Sequence, residues 1–379
     1  MRILENLNYD FLGKRKIAYT ISVTLFLIGI ISVIVKGLEF GIDFKGGTEI
    51  VLQFEKPVDI GEIRTYVENL GLGSAEVKTF GGETGIMVRT EEQVIPPEIF
   101  PKVVKNIEIA IEKYFPGVQR NIIDSTASSV TYEFENSQIT NAIIDKLFEA
   151  GFQSGHVSEE LDNKQMIIRV SIADWIKENL SEKVENNPFI VLKEDIVGPK
   201  IGEELKQDAV LAIFFALIVI LIYLGFRFKF IFAMGAVTAL FHDVLITLGL
   251  FAALYGLIPG LNLDIDLTVV AAFLTLIGYS INDTVVNFDR IRENLKIHKT
   301  RPLYDIINTS ISQTMSRTLI TSGTTLITVL VLLIFGGEVL KVFAFTLFFG
   351  VIIGTFSSIF VASALVYEYA EKYKKKLEF

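Results

Sequence analysis

The sequence predicts a polytopic α-helical membrane protein with a folded α+β domain inserted between its first and second membrane helices. Three observations carry this. Of the 379 residues, 51% are hydrophobic and only 21% charged, and the mean hydropathy is +0.48, too apolar for an ordinary soluble chain. The charges are spread unevenly, leaving six nearly uncharged windows of about 20 residues, the length a helix needs to cross roughly 30 Å of hydrocarbon. Between the first two windows the chain turns polar and alternates strand-like with helix-like runs. Cysteine is absent, which excludes disulfides, thiolate metal sites and cysteine nucleophiles together. A net charge of −9 argues against nucleic acid as a partner, because a phosphate-binding surface needs clustered Lys and Arg.

Taken in order, spans are predicted at residues 17–35, 209–226, 230–254, 267–288, 317–335 and 342–367. Lys14, Arg15 and Lys16 precede the first span, but no small-residue cleavage site follows it, so it is expected to stay as a helix and not to be removed as a signal peptide. Basic residues set the direction. They lie before the first span (Arg2, Lys14, Arg15, Lys16), between the second and third (Arg227, Lys229), between the fourth and fifth (Arg290, Arg292, Lys296, Lys299, Arg301) and in the tail (Lys372, Lys374, Lys375, Lys376). Residues 256–266 hold no Lys or Arg, and 336–341 hold one. By the positive-inside rule residues 1–16 and the tail 368–379 are cytoplasmic, spans two to six fill 208–367, and residues 36–207 form an extracytoplasmic domain.

Within that domain residues 48–54 read as a strand, 60–70 as a helix opened by Asp59, and 85–89 as a returning strand after the Gly81-Gly82 turn. The pattern recurs. Residues 130–134 are strand-like, 139–150 helical with Gly151 as the stop, and 165–171 strand-like again. Two similar βαββ units, resembling ferredoxin-like halves, are therefore expected. His156 and Trp175 fall here too, and lone residues of these types read as ordinary surface or core side chains. The domain has no catalytic constellation, so no enzyme activity, cofactor or metal is expected.

Ionisable groups inside a span cost about 2.5–3.5 kcal/mol at its centre, so each needs a reason. Four stand out: His242, Asp243, Asp283 and Arg317. Asp243 lies about 20 Å along its span from Phe230, near mid-membrane, and cannot reach water by extending. Asp283 precedes the interfacial Arg290 by two turns, roughly 10 Å. Arg317 follows the polar run Asn308-Thr309-Ser310 by a similar count on an antiparallel span, so an Asp283–Arg317 ion pair is expected. If Asp283 exchanges protons, that contact has to loosen during a cycle, which couples protonation to helix position. The residues also allow a static ion pair, an Asp243 simply satisfied by neighbouring helices, and Ser280, Asn282 and Thr284 as glue between helices. His242 is a single candidate relay member. Gly350 and Gly354 form a GxxxG pair, and Gly278 and Gly323 are expected to allow close approach in the fourth and fifth spans, for packing more than for hinging.

Several motifs now converge. The run Phe40-Gly41-Ile42-Asp43-Phe44-Lys45-Gly46-Gly47-Thr48 resembles the glycine-rich entry motif of the SecD/SecF family, accessory subunits of the bacterial Sec translocase. Val197-Gly198-Pro199-Lys200-Ile201-Gly202, His242-Asp243, the run from Gly278 through Asn282-Asp283-Thr284 to Asn294, and Arg317-Thr318-Leu319 are similar to the SecF branch in particular. The resemblance implies an RND-like subunit of the inner membrane that uses the proton-motive force to help preproteins across. Its implied partners are SecD, the SecYEG channel, the translocating preprotein and the lipid bilayer. It implies that Asp283 is the proton-linked carboxylate, Arg317 its partner and Asp243 a further motif position; the residues alone do not choose between the two aspartates. The external domain departs from the family pattern by an expected extra segment within residues 122–188.

Gly41, Gly46 and Gly47 also invite a phosphate-cradle reading, but no Gly-Lys-Ser/Thr ending follows, so a turn is expected with Gly46-Gly47 at positive φ. The leading expectation is a proton-driven subunit of protein export. A small-molecule or lipid transporter subunit of RND type, and a purely structural subunit, are the alternatives.

Overall fold

A computed structural model describes residues 9–158, 162–184, 186–258 and 261–373. Arg2, Lys374, Lys375 and Lys376, used above for orientation, lie outside the described residues. The chain divides into two compact units, one built from residues up to Gly41 together with Glu204 onward, the other from Ile42–Glu203.

Chain order begins in the first unit with a single 3₁₀ turn, Leu12–Lys14, and helix α1, Arg15–Lys36. The second unit opens with the short α2, Ile42–Lys45, and then builds a repeat: β1 Gly47–Phe54, α3 Ile60–Glu68, β2 Ala75–Thr79, β3 Gly85–Thr90 and α4 Phe100–Tyr114. Strand β4, Arg120–Thr126, leads to a second copy: β5 Ser129–Phe134, α5 Ser137–Glu149, β6 Gln153–His156, β7 Gln165–Arg169 and α6 Ile172–Lys183, closed by β8, Phe189–Val197. The two βαββ units are thus present, each extended by a helix. Residues 122–188, expected to hold an additional segment, are largely taken up by the second repeat itself.

Each repeat has exchanged its last strand. The sheets are ordered β2-β3-β1-β8 and β4-β5-β7-β6, so β8 flanks the first strand of repeat one and β4 flanks the first strand of repeat two. With that exchange both sheets have the ferredoxin-like order 4-1-3-2. One apolar core serves both sheets: Ile50, Leu52 and Val88 from the first join Val130, Tyr132 and Ile168 from the second. Across the repeats Trp175 Nε1 donates to the Leu70 carbonyl at 3.4 Å, and Asn179 accepts from the Tyr66 hydroxyl. Trp175 is therefore core, and His156 is exposed.

Local signals explain the helices that were legible. Asp59 caps α3 by accepting from the Gly61 and Glu62 amides, and Asn136 and Ser171 cap α5 and α6 in the same manner. Gly151 has φ 94°, the left-handed stop that glycine tolerates. Gly46 and Gly47 have φ 75° and 112° as expected. A Cβ on Gly46 would lie 2.9 Å from Pro199 Cα, and one on Gly202 would lie 3.2 Å from the Gly46 nitrogen. The two glycine motifs, far apart in sequence, form one backbone-to-backbone joint.

Buried charge pins the exchanged strand β8. Glu49 of β1 accepts from Arg89 of β3 at 2.7 Å and from Lys193 of β8 at 3.1 Å, while Arg89 also reaches Glu76 of β2 and Lys193 reaches Asp195. The alternating signs cross all four strands of the sheet. Burial works against the Lys193 ammonium, but Asp195 and Glu49 outweigh it and hold its pKa above the ordinary lysine value.

The first unit resumes within α7, Pro199–Arg227, and continues with α8, Phe230–Leu254, α9, Leu267–Ile297, α10, Leu303–Phe335, α11, Glu338–Ser357, a π-helical turn at Ser358–Ala362, and α12, Ser363–Lys372. Among the described residues six helices are long and apolar enough to cross a membrane: Leu12–Lys36, Pro199–Arg227, Phe230–Leu254, Leu267–Ile297, Leu303–Phe335 and Leu340–Lys372. Hydropathy underestimated three of them. The fifth span starts at Leu303 and not at Arg317, because its polar run continues as helix: the hydroxyls of Ser310, Ser312 and Thr314 fold back onto carbonyls one turn earlier and leave the backbone ladder intact. α9 likewise runs past Phe288 to Ile297, and α7 starts well before 209.

Glycines set the close contacts. A Cβ on Gly350 would meet Leu276 of α9 at 2.6 Å, and one on Gly354 would meet Ser280 of α9 at 3.0 Å, so the GxxxG pair packs α11 on α9. Gly278 and Gly323 make no such close approach: a Cβ at either would have nothing within 4 Å among the described residues.

Candidate functional site

Asp243 lies where four helices meet and is 1% exposed. Its Oδ2 accepts from Ser280 Oγ of α9 at 2.6 Å and from Ser357 Oγ of α11 at 2.8 Å. Its Oδ1 is 2.9 Å from His242 Nδ1, and His242 Nε2 is 2.9 Å from Ser22 Oγ of α1. The result is a hydrogen-bonded line Ser22–His242–Asp243 ending in two serine hydroxyls. A carboxylate taken out of water needs its lone pairs filled, and here short hydroxyl side chains fill them.

Asp283 sits one turn beyond Ser280 on α9 and is 4% exposed. It accepts from Ser322 Oγ of α10 at 3.2 Å, and Ser322 in turn accepts from Thr355 Oγ1 of α11 at 2.8 Å. Both aspartates are therefore tied to one short stretch of the sixth span, Asp243 through Ser357 and Asp283 through Ser322 and Thr355. The π turn begins at the next residue. Its widened backbone frees the Ser358 carbonyl, which accepts from Asn287 Nδ2 at 3.5 Å and from Ser363 Oγ at 3.2 Å.

The expected ion pair is a correction. Among the described residues Asp283 and Arg317 form no ion pair; Arg317 is exposed on α10, within electrostatic range of Asp283 but not bonded to it. The physical reason is azimuth. Ser322 and Arg317 are five residues apart, about 140° around a helix of 3.6 residues per turn, so when one faces α9 the other faces away. Asn282 is exposed on α9 and does not join the buried cluster, and Thr284 back-bonds to the Ser280 carbonyl.

A polar seam between α9 and α10 went unread in the sequence. Tyr279 bonds Thr325, Asp283 bonds Ser322, Asn287 bonds Thr314 at 2.6 Å, and Asn294 bonds Ser310 at 2.8 Å and Gln313 at 3.0 Å. Thr318, between Thr314 and Ser322, has a buried hydroxyl with no partner. From Tyr279 to Asn294 the seam covers roughly 22 Å along α9. The polar residues of α9 at 279, 283, 287 and 294 recur at spacings of one or two helical turns, and that recurrence was the available signal.

The glycine-rich entry motif is shared between the units. In the first, the Gly41 amide donates to the Ile265 carbonyl at 2.7 Å, and a Cβ on Gly41 would lie 2.9 Å from Asp266 Cβ, the residue that caps α9 through the Val269 amide. In the second, Asp43 lies in α2 and Gly46 and Gly47 form the turn into β1.

Comparison with known proteins places the chain in a family. The family described as protein export membrane protein SecD/SecF, C-terminal, matches residues 176–372, and the SecD/SecF GG motif matches 31–58. The protein translocase subunit SecF of Rhodothermus marinus is 41% identical, covering 97% of this chain and 95% of its own length. The Vibrio alginolyticus SecF is 36% identical over 94% of this chain and 88% of its own. The crystal structure of SecDF, a translocon-associated membrane protein from Thermus thermophilus, superposes with a TM-score of 0.65 at 28% identity, covering 98% of this chain and 40% of that longer one. The chain belongs to the SecF family of protein translocase subunits.

Proposed function

We propose that this chain works beside SecD as an accessory subunit of the Sec translocase in the cytoplasmic membrane, using the proton-motive force to promote preprotein export through the SecYEG channel. The observation that carries the reading is the pair of buried carboxylates tied by hydroxyls to one stretch of the sixth span. An ionised carboxylate only accepts hydrogen bonds, whereas a protonated one also donates. Proton uptake at Asp283 therefore reverses a donor direction, and Ser322 and Thr355 have to re-pair. Thr355 lies just before the π turn, where a shift between π and α geometry moves the helix by one residue. A proton crossing the membrane supplies about 2.3 kcal/mol per 100 mV, enough to exchange one or two hydrogen bonds of about 1 kcal/mol each.

In this reading Asp283 exchanges the proton, Asp243 with His242 is a second station, and both termini are cytoplasmic with the α+β domain outside, handling the emerging chain. Arg317, Asn282 and Gly278, exposed on the fourth and fifth spans, face the membrane helices of SecD, since a bare guanidinium in lipid is costly. Gradient-dependent preprotein translocation into vesicles tests it. Asp283→Asn is expected to abolish the dependence on the gradient while membrane insertion and co-purification with SecD survive. Undiminished gradient-dependent export in that variant refutes the proposal.

A further inference from the structure

We propose that the groove between the start of α8 and α12 is a binding site for one anionic phospholipid. The groove encloses about 620 Å³ and runs from Lys229 and Phe230 to Thr238 along α8, facing Leu365 to Tyr373. Eight residues of helix make it about 12 Å long, most of the roughly 15 Å hydrocarbon depth of one leaflet. Its chemistry changes along that length. The deep part is walled by Ile231, Met234 and Leu365, which suits an acyl chain. The mouth carries the ammonium groups of Lys229 and Lys372, and the Lys372 Nζ stands 5.7 Å from the Tyr373 ring centroid.

Charge complementarity selects the occupant. Among the described residues Glu368 is the acidic side chain lining the groove, and its carboxylate is engaged by Arg15 Nε at 3.3 Å. The mouth therefore favours a headgroup with net negative charge and disfavours one that carries its own cation. The Tyr369 and Tyr373 rings, with centroids 4.6 Å apart, stand at the same end as the lysines, the placement that aromatic side chains take at a headgroup boundary. Basic pockets between membrane helices hold acidic headgroups for the same reason. A soluble anion uses only the mouth; a phospholipid covers mouth and walls together.

The test is native mass spectrometry of the full-length chain titrated with phosphatidylglycerol, phosphatidylcholine or soluble glycerol 3-phosphate. Wild type is expected to retain one phosphatidylglycerol in preference to phosphatidylcholine and to ignore glycerol 3-phosphate. Lys229→Gln with Lys372→Gln is expected to lower phosphatidylglycerol affinity about thirtyfold, which is about 2 kcal/mol at 1.4 kcal/mol per tenfold. Met234→Trp, which fills the groove and leaves the charges in place, is expected to release the lipid as well. The pair Lys296→Gln with Lys299→Gln, outside the groove, is expected to change nothing. Equal binding of the two lipids, retention by Met234→Trp, an equal loss in the control pair, or a response to glycerol 3-phosphate overturns the proposal. Unchanged thermal melting of each variant keeps misfolding out of the comparison.

Discussion

Gly354 is where the sixth span packs against Ser280 of the Asp243 cluster, and adding one methyl group there tests the arrangement directly. In Gly354→Ala the new carbon falls 3.0 Å from both Cβ and Oγ of Ser280 and 3.5 Å from Asp243 Oδ2. Carbon atoms pack at about 3.5–4.0 Å, so Ser280 has to move by about 0.5 Å or more. It cannot do so without straining its 2.6 Å bond to Asp243. Overpacking of this kind costs about 1–3 kcal/mol, but the better helix propensity of alanine returns up to about 1 kcal/mol and obscures a single measurement. A double-mutant cycle with Ser280→Gly removes that ambiguity, because the propensity contribution cancels. The coupling is expected at about 1–3 kcal/mol, read from circular dichroism of the full chain unfolded in mixed detergent micelles. Gly350→Ala serves as contrast: its Cβ meets only the branched end of Leu276, which can turn aside, so its cost is expected to be smaller. Gradient-dependent export is expected to fail in Gly354→Ala and to stay impaired in the double variant, in which the clash is relieved but the Ser280 donor is missing. A coupling below about 0.5 kcal/mol, the level of independent sites, refutes the close packing of Gly354 on Ser280.

Two further outcomes follow from other parts of the molecule. Arg89→Met leaves the buried Glu49 with Lys193 as its remaining ion-pair partner and is expected to destabilise the α+β unit toward the lower end of the roughly 3–5 kcal/mol typical of breaking a buried pair. Adding Glu49→Leu should recover most of that loss, measured by urea unfolding followed through Trp175, the single tryptophan of the chain. The Asp10 carboxyl is held below the usual carboxylate range, first by the Tyr304 hydroxyl and then by the Gly13 amide. A depressed carboxylate stabilises the fold above its unfolded value, and the contribution is lost as pH falls through the folded value. Wild type is therefore expected to melt above Asp10→Asn at pH 7, the two melting temperatures converging as pH falls toward 3.

How much of the molecule was legible depends on how local the governing physics is. The six spans were readable because the requirement of about 20 apolar residues acts on each segment alone. Their ends were not, since a helix leaving hydrocarbon no longer needs apolar residues, and the polar run at Asn308 continues as helix because its neighbouring hydroxyls fold onto the backbone. Asp59 and Gly151 announced a helix start and a helix stop for the same local reason. Strands β4 and β8 gave little sign of their place: both are edge strands with exposed aliphatic residues such as Ile122 and Ile190, without the one-sided alternation that marks a half-buried strand.

The sequence by itself determined the class of protein, the family motifs and which acidic residues are too deep in a span to be accidental. Tertiary structure alone decided the partners of those residues. Counting residues along a helix gives depth to within a turn, yet a side chain's direction around the axis changes by about 100° per residue. That rotation is why Asp283 meets Ser322 and not Arg317, and why Ser22, Ser280 and Ser357, drawn from three helices, converge on Asp243. The strand exchange has the same character: β8 completes the first sheet and β4 the second, and for β8 the pairing of Lys193 with the buried Glu49, a contact that exists only in three dimensions, holds it there.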